Sequence, residues 1–188
     1  MKQPKGFDDE DDKLMLMTIY VDDGLIATSD ESLIDNFFNS LSKEFKITSS
    51  KEVKSFLGLE VDRLEDGSIF IHQSRYIESI LKKFNMNGAN SVSTPTETNC
   101  SESNIDNNDC NAPYREAVGN LMFLQTVSRP DIRFAINIAS RHLKNPNKYQ
   151  WKLVKRILHY IKGTANMGLL YTKAGSLETF SDADYAGV

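Results

Sequence analysis

The sequence predicts an α+β fold: two strand–turn–strand–helix units, then a helical region, then short terminal strands. Three features predict it. Apolar runs of strand length flank two acidic glycine turns, Asp22-Asp23-Gly24 and Glu65-Asp66-Gly67, and Asp-Gly favours tight hairpins. After each hairpin, apolar residues recur every three to four positions, the period of an amphipathic helix. Beyond a polar stretch at residues 90–112, three more segments keep that helical period.

Taken in order, residues 1–12 are acidic and lack a strand or helix pattern, so they read as a tail. Residues 14–20 form the first strand, the acidic pair the turn, and residues 25–28 the returning strand. Ser29 or Asp30 can cap the helix that follows, whose inner face is Leu33, Ile34, Phe37, Phe38, Leu41 and Phe45. In the second unit, "SFLGLEVDRL" and "SIFIHQS" are the strands. Ser74 is the expected cap of a helix running to Asn85, with Gly88 soon after its end. Residues 90–112 are poor in apolar side chains, which predicts a linker that is mobile in part. "PYREAVGNLMFLQTV", "RPDIRFAINIASRHL" and "PNKYQWKLVKRILHYIKG" each predict one helix, the last closed by Gly163. "GLLYTK" and "ETFSDADYAGV" have the pattern of two strands.

With 40% hydrophobic and 26% charged residues, the composition is that of a globular protein. No apolar run reaches the roughly 20 residues of a membrane span, and the N-terminus has no secretory h-region. Cys100 and Cys110 lie in the polar stretch without companion ligands, which argues against zinc and for a reducing, intracellular setting.

The net charge of −4 hides an asymmetry. Between residues 113 and 170, five Lys and five Arg stand against Glu116 and Asp131, a balance of +8, so the rest of the chain carries −12. At about 100° per residue, Lys148, Lys152, Lys155, Arg156, His159 and Lys162 share one arc of the last helix, and no acid of that helix interrupts it. A surface helix gains from opposite charges four apart. An unmixed basic arc forgoes that gain, which makes sense if phosphates supply the negative charge. A plain solvated basic face is the alternative.

Asp22 and Asp23 pose the sharper question. Two carboxylates held at a hairpin tip by apolar flanks suit Mg²⁺, which takes oxygen donors and keeps waters and substrate phosphates among its ligands. Neighbouring residues of a strand point to opposite faces, so the two need not ligate equally. Asp22 is the stronger candidate for direct contact and Asp23 a nearby or second ligand. Taken locally, the same residues also fit a solvent-exposed turn.

The order of motifs decides between these readings. The chain carries "YVDDGLIA" (residues 20–27), "FLGLEV" (56–61), "IHQSRYIESILKKFNM" (71–86) and "VSTP" (92–95). "PYREAVGNLMFL" (113–124), "SRPDIRFAINIASR" (128–141), "WKLVKRILHYIKGT" (151–164) and "SDADYAG" (181–187) follow. In this order they resemble the copia-type long-terminal-repeat retrotransposon Pol polyprotein, where its reverse transcriptase runs into ribonuclease H. The resemblance covers nearly everything from Leu14 onward.

The resemblance implies a partial reverse-transcriptase palm at residues 13–89 after the tail, a polar linker at 90–112, and a helical thumb and connection at 113–167. A truncated ribonuclease H-like domain would begin at 168–188. It implies an RNA-directed DNA polymerase that extends a primer by two-metal phosphoryl transfer with Mg²⁺. Asp22 and Asp23 match the motif aspartates, and Tyr20 and Val21 would line the site near the primer end. Phe56, Leu57 and Gly58 would belong to the hairpin that positions the primer strand, Gly58 by letting backbones approach. Lys148, Lys152, Lys155, Arg156 and Lys162 would contact the template–primer duplex. Asp182 matches the first metal-binding aspartate of ribonuclease H. The implied partners are template–primer nucleic acid and the rest of the polyprotein, without a membrane, in the cytoplasm, a virus-like particle or the nucleus.

The chain also departs from the family pattern. A third palm carboxylate is expected upstream of the pair, and residues 1–13 offer no strand to carry one. "MKQPKGF" resembles a piece that intact members place several dozen residues before the hairpin, so an internal deletion is expected. The chain alone is then expected to lack polymerase and ribonuclease H turnover, and its palm strands to expose apolar edges. The alternative function is a non-catalytic nucleic-acid-binding remnant that uses the basic helices.

Overall fold

The computed structural model describes residues 14–97, 111–173 and 178–179. The tail at residues 1–12, both cysteines and the "SDADYAG" segment with Asp182 lie outside the described residues. The chain divides into two compact units, one ending at Leu57 and the other starting at Gly58. The division falls within residues 13–89, and it groups the second hairpin and its helix with the helical region.

In the first unit, β1 (Met15–Tyr20) and β2 (Asp23–Thr28) form an antiparallel hairpin whose register pairs Tyr20 with Asp23 and Met15 with Thr28. The turn is therefore Val21-Asp22, two residues earlier than the Asp23-Gly24 signal predicts. Gly24 lies within the ladder, opposite Ile19. Helix α1 (Glu31–Leu41) starts where Asp30 accepts a 2.9 Å bond from the Ser32 amide, so Asp30 rather than Ser29 is the cap. Phe45, expected on the helix face, lies past its end and is exposed. The unit closes with the short strand β3 (Ser55–Phe56). None of its described residues is buried.

The second unit holds the core. Strands β4 (Leu59–Arg63) and β5 (Ile69–His72) form the second hairpin, with Glu60 opposite His72 and Arg63 opposite Ile69. Gly67, at φ +84, supplies the left-handed turn residue that the sequence pattern calls for. Strand β6 (Leu169–Tyr171) pairs antiparallel with β5, Leu169 opposite Ile71. Residues 168–171, expected at the start of the ribonuclease H-like region, thus lie in this sheet. A Cβ at Gly168 would sit 2.3 Å from the Ile71 carbonyl oxygen, so only glycine lets the chain run this close to β5.

Four helices complete the unit: α2 (Ser74–Lys83), α3 (Tyr114–Val127), α4 (Arg133–Ser140) and α5 (Lys148–Gly163). Ser74 does not cap α2. It is the first helical residue, and its hydroxyl lies 3.1 Å from the Ala165 carbonyl and 2.8 Å from His72 Nδ1. The segment from Pro130, expected as one helix, begins as a 3-10 turn (Pro130–Ile132) before α4. Helix α5 carries a capping box: the Asn147 side chain accepts from the Tyr149 and Gln150 amides, and Gln150 Oε1 accepts from the Asn147 amide at 2.7 Å.

Among the described residues, every buried hydrophobic residue of the core lies between Ile77 and Ile161, drawn from all four helices, Met86 and Ile132 of the 3-10 turn. Ile77 and Ile80 of α2, Leu121 and Leu124 of α3, Ile136 of α4, and Ile157 and Leu158 of α5 belong to this one cluster.

Beside it lies a partly buried polar cluster. Arg129, only 1% exposed, makes a two-pronged pair with Asp131, Nε to Oδ1 at 2.9 Å and Nη2 to Oδ2 at 2.8 Å. Its Nη1 donates to the Thr164 carbonyl at 2.8 Å, and the Tyr160 hydroxyl donates to Asp131 at 2.9 Å. Ser128 beside it donates to the buried Gln73 side chain. No helix among the described residues is long and apolar enough to cross a membrane.

Candidate functional site: an acidic hairpin and a basic helix face

The hairpin of the first unit gathers Tyr20, Val21, Asp22 and Asp23 at its turn. Asp22 occupies the second turn position and Asp23 the first ladder position of β2, so the two carboxylates leave the backbone from different local geometries. Val21 sits at φ 53. A positive φ is a true outlier for a β-branched residue, and a two-residue turn that opens this way ordinarily takes glycine there. Backbone strain is thus stored next to the aspartates. Tyr20 and Val21 are 60% and 81% exposed.

As a metal site, the hairpin offers two hard oxygen donors of the kind Mg²⁺ prefers. Among the described residues, no group of three or more His, Cys, Asp or Glu side chains comes together to hold a metal ion.

Phe56 is half-buried, Leu57 is 38% exposed at φ 50, and Gly58 follows at φ +81. Two successive positive φ values explain why glycine stands at 58. Crowding does not, because a Cβ there would meet only Phe123 at 3.9 Å. Within the chain, the turn rather than a neighbour accounts for glycine at this position. Its carbonyl accepts from Gln73 Nε2 at 3.5 Å.

The basic arc of α5 is present and divided. Lys148, Lys152 and Lys155 are exposed. The other half is engaged by the segment leading out of α2. Lys162 Nζ donates to the Ala89 carbonyl and His159 Nδ1 to the Asn90 carbonyl. Arg156 Nη1 pairs with Glu97 at 2.9 Å, and its Nη2 donates to Thr94 Oγ1 at 3.0 Å. No acid interrupts the arc along the helix, but Glu97 does so from outside it. Residues 90–97 therefore lie against α5, with Val92 packed on the core. Between this segment and the helix runs a groove of about 320 Å³, lined by Lys152, Lys155, Arg156 and His159 among others.

Sequence reasoning missed the Arg129–Asp131 pair. Burial pushes the Asp131 carboxyl up, but the hydrogen bonds and charge of Arg129 and the Tyr160 hydroxyl outweigh it and hold the group below the ordinary aspartate value. Burial, reinforced by Asp131, raises the Tyr160 hydroxyl. The available signal was Arg-Pro-Asp ahead of an apolar helical run, which lets a basic side chain and a first-turn acid meet.

A profile of the family "Reverse transcriptase (RNA-dependent DNA polymerase)" matches residues 4–98. The chain is 34% identical, over 94% of its length, to the Retrovirus-related Pol polyprotein from transposon TNT 1-94 of Nicotiana tabacum, and it spans 14% of that protein. It is 36% identical over 93% of its length to the Pol polyprotein from transposon RE1 of Arabidopsis thaliana, spanning 12% of it. The uncharacterized mitochondrial protein AtMg00810 of Arabidopsis thaliana is 34% identical over 92% of this chain and 72% of its own length. No solved structure matches the chain. The profile includes the Tyr20–Asp23 turn, and the relatives extend the likeness through α5, so the chain belongs to the reverse transcriptase family of copia-type retrotransposon Pol polyproteins.

Proposed function

We propose that this chain is the part of a retrotransposon reverse transcriptase that carries the motif aspartates and grips the template–primer duplex, and that on its own it binds nucleic acid without extending a primer. The observation that carries the proposal is how core and charge are distributed. The buried core and the exposed lysines of α5 share the second unit, whereas no described residue of the unit that carries the aspartate hairpin is buried. Binding needs only a folded surface with cations. Polymerisation needs a preorganised set of carboxylates, because electrostatic preorganisation supplies the largest part of such catalysis.

Asp22 and Asp23 are the proposed metal ligands, and Tyr20 and Val21 would border the primer end. Mg²⁺, when bound in a complete site, would neutralise charge on the transferring phosphate. The rest of the polyprotein is the natural source of a third carboxylate, and the proposed setting is intracellular. Lys148, Lys152 and Lys155 are the proposed phosphate contacts, and Arg156 joins them under the condition developed below.

The test is one preparation in two assays. Primer extension with Mg²⁺ or Mn²⁺ is expected to give no product; product that disappears in Asp22→Asn overturns the inactivity. Binding to an RNA/DNA hybrid is expected to weaken steeply with salt, as counterion release requires. Lys152→Ala with Lys155→Ala should lower affinity and flatten the slope by about two units, near 0.9 per phosphate contact. Unchanged binding overturns the assignment of these lysines.

A further inference from the structure

We propose that the segment from Ala89 to Glu97 is a gate on the basic face of α5, with Glu97 holding Arg156 in the free protein until a backbone phosphate takes its place. The inference rests on the nucleic-acid reading above and adds to it a competitor built into the chain.

The two ends of the segment are held differently. At the near end, Ala89 and Val92 pack on the hydrophobic core, and Ser91 is tight against α5, its Cβ 2.7 Å from where a side chain on Gly163 would begin. Lys162 and His159 bond the Ala89 and Asn90 carbonyls there. At the far end, Thr94 and Glu97 make polar contacts to the guanidinium of Arg156. Core packing resists opening at the near end. A partly exposed ion pair, with side chains 24% and 52% exposed, holds weakly at the far end.

The grip on Arg156 is also incomplete. Its Nε is buried and has no hydrogen-bond partner among the described residues. A buried unpaired donor costs free energy. Arg presents five N–H donors in a fixed fork, and a phosphate offers several acceptor oxygens to it. Exchanging Glu97 and Thr94 for a phosphate would free the Nε of its burial and bring Arg156 into line with Lys152 and Lys155, which already line the same groove. In the closed arrangement Glu97 places a carboxylate where the phosphate charge would lie, so the chain carries its own polyanion mimic.

The gate changes how affinity responds to salt. Opening releases a carboxylate that recruits a cation, which offsets one of the counterions set free by phosphate binding. Removing the carboxylate should tighten binding and also steepen the salt dependence.

The experiment measures binding of the full chain to a labelled RNA/DNA hybrid by fluorescence anisotropy across a salt series, for the native chain, Glu97→Gln, Arg156→Gln and the double variant. Glu97→Gln is expected to tighten binding about two- to fivefold, the scale of one exposed ion pair, with a slope steeper by about one unit. In the Arg156→Gln background the gain is expected to vanish. An equal gain in both backgrounds overturns the gate, because Glu97 would then act only through its general field. If Lys152→Ala with Lys155→Ala weakens binding while Glu97→Gln changes nothing, the nucleic-acid reading stands and the gate falls. If no variant binds, both fall.

Discussion

At the scale of single residues, the protein spends its most demanding local chemistry in two places. One is Val21, whose positive φ stores strain beside the aspartates. The other is Arg129, a buried cation whose charge is met by Asp131 and which donates two further bonds to Thr164. Removing one partner of a buried pair leaves the other charge uncompensated, at about 3–5 kcal/mol. Because Asp131 keeps 29% of its side chain exposed, Asp131→Asn should cost about 3 kcal/mol, the low end of that range. The direction with pH follows from the lowered Asp131 carboxyl. Its contribution is complete above the unfolded-chain value of about 3.9 and is lost as pH falls through the lower folded-state value. Urea melts of native protein and Asp131→Asn from pH 7 down to pH 2 should therefore converge at the acid end. A constant gap between them would show that the carboxylate charge does not matter.

At the scale of elements, the hairpins and helices were legible because their signals are local. Asp66 and Gly67 mark the turn of β4–β5, and the three-to-four periodicity marks α2, α3 and α5. The misplacements have local causes of another kind. The first hairpin turns at Val21-Asp22 because register, which depends on pairing along the whole ladder, overrode the Asp-Gly preference. The α2 cap was misread because Ser74 spends its hydroxyl on Ala165, 91 residues away. Strand β6 gives the clearest test at this scale. Gly168→Ala would drive a Cβ into the Ile71 carbonyl oxygen, which is backbone and cannot swing aside. Overpacking of this kind costs about 1–3 kcal/mol. Hydrogen exchange should show the amides of Ile69 and Ile71 losing protection while those of α3 keep theirs; unchanged protection would mean that β6 does not depend on the close approach.

At the scale of the whole molecule, the two units differ in what holds them. The second has a core from four helices. The first has a two-stranded hairpin and one helix, with Leu16, Ile19 and Tyr20 each 60% or more exposed. An isolated two-stranded hairpin is marginal in water, and an exposed apolar strand invites pairing. Residues 58–173, expressed alone, should therefore melt in a single cooperative transition by calorimetry. A broad transition without cooperativity would show that the core does not suffice. The aspartates are thus carried by the less supported unit.

The sequence by itself determined the family, the position of the paired aspartates, the helical segments and the basic arc, because each is written in residue type and short-range spacing. Tertiary structure alone decided what that arc is free to do. Lys152 and Lys155 face solvent, while Arg156 meets Glu97 from a segment 59 residues away in the chain. It also decided that β6 joins β5 and that Arg129 is buried against Asp131. These depend on which distant segments the core brings together, and burial and pairing across such separations leave no periodic trace in a single sequence.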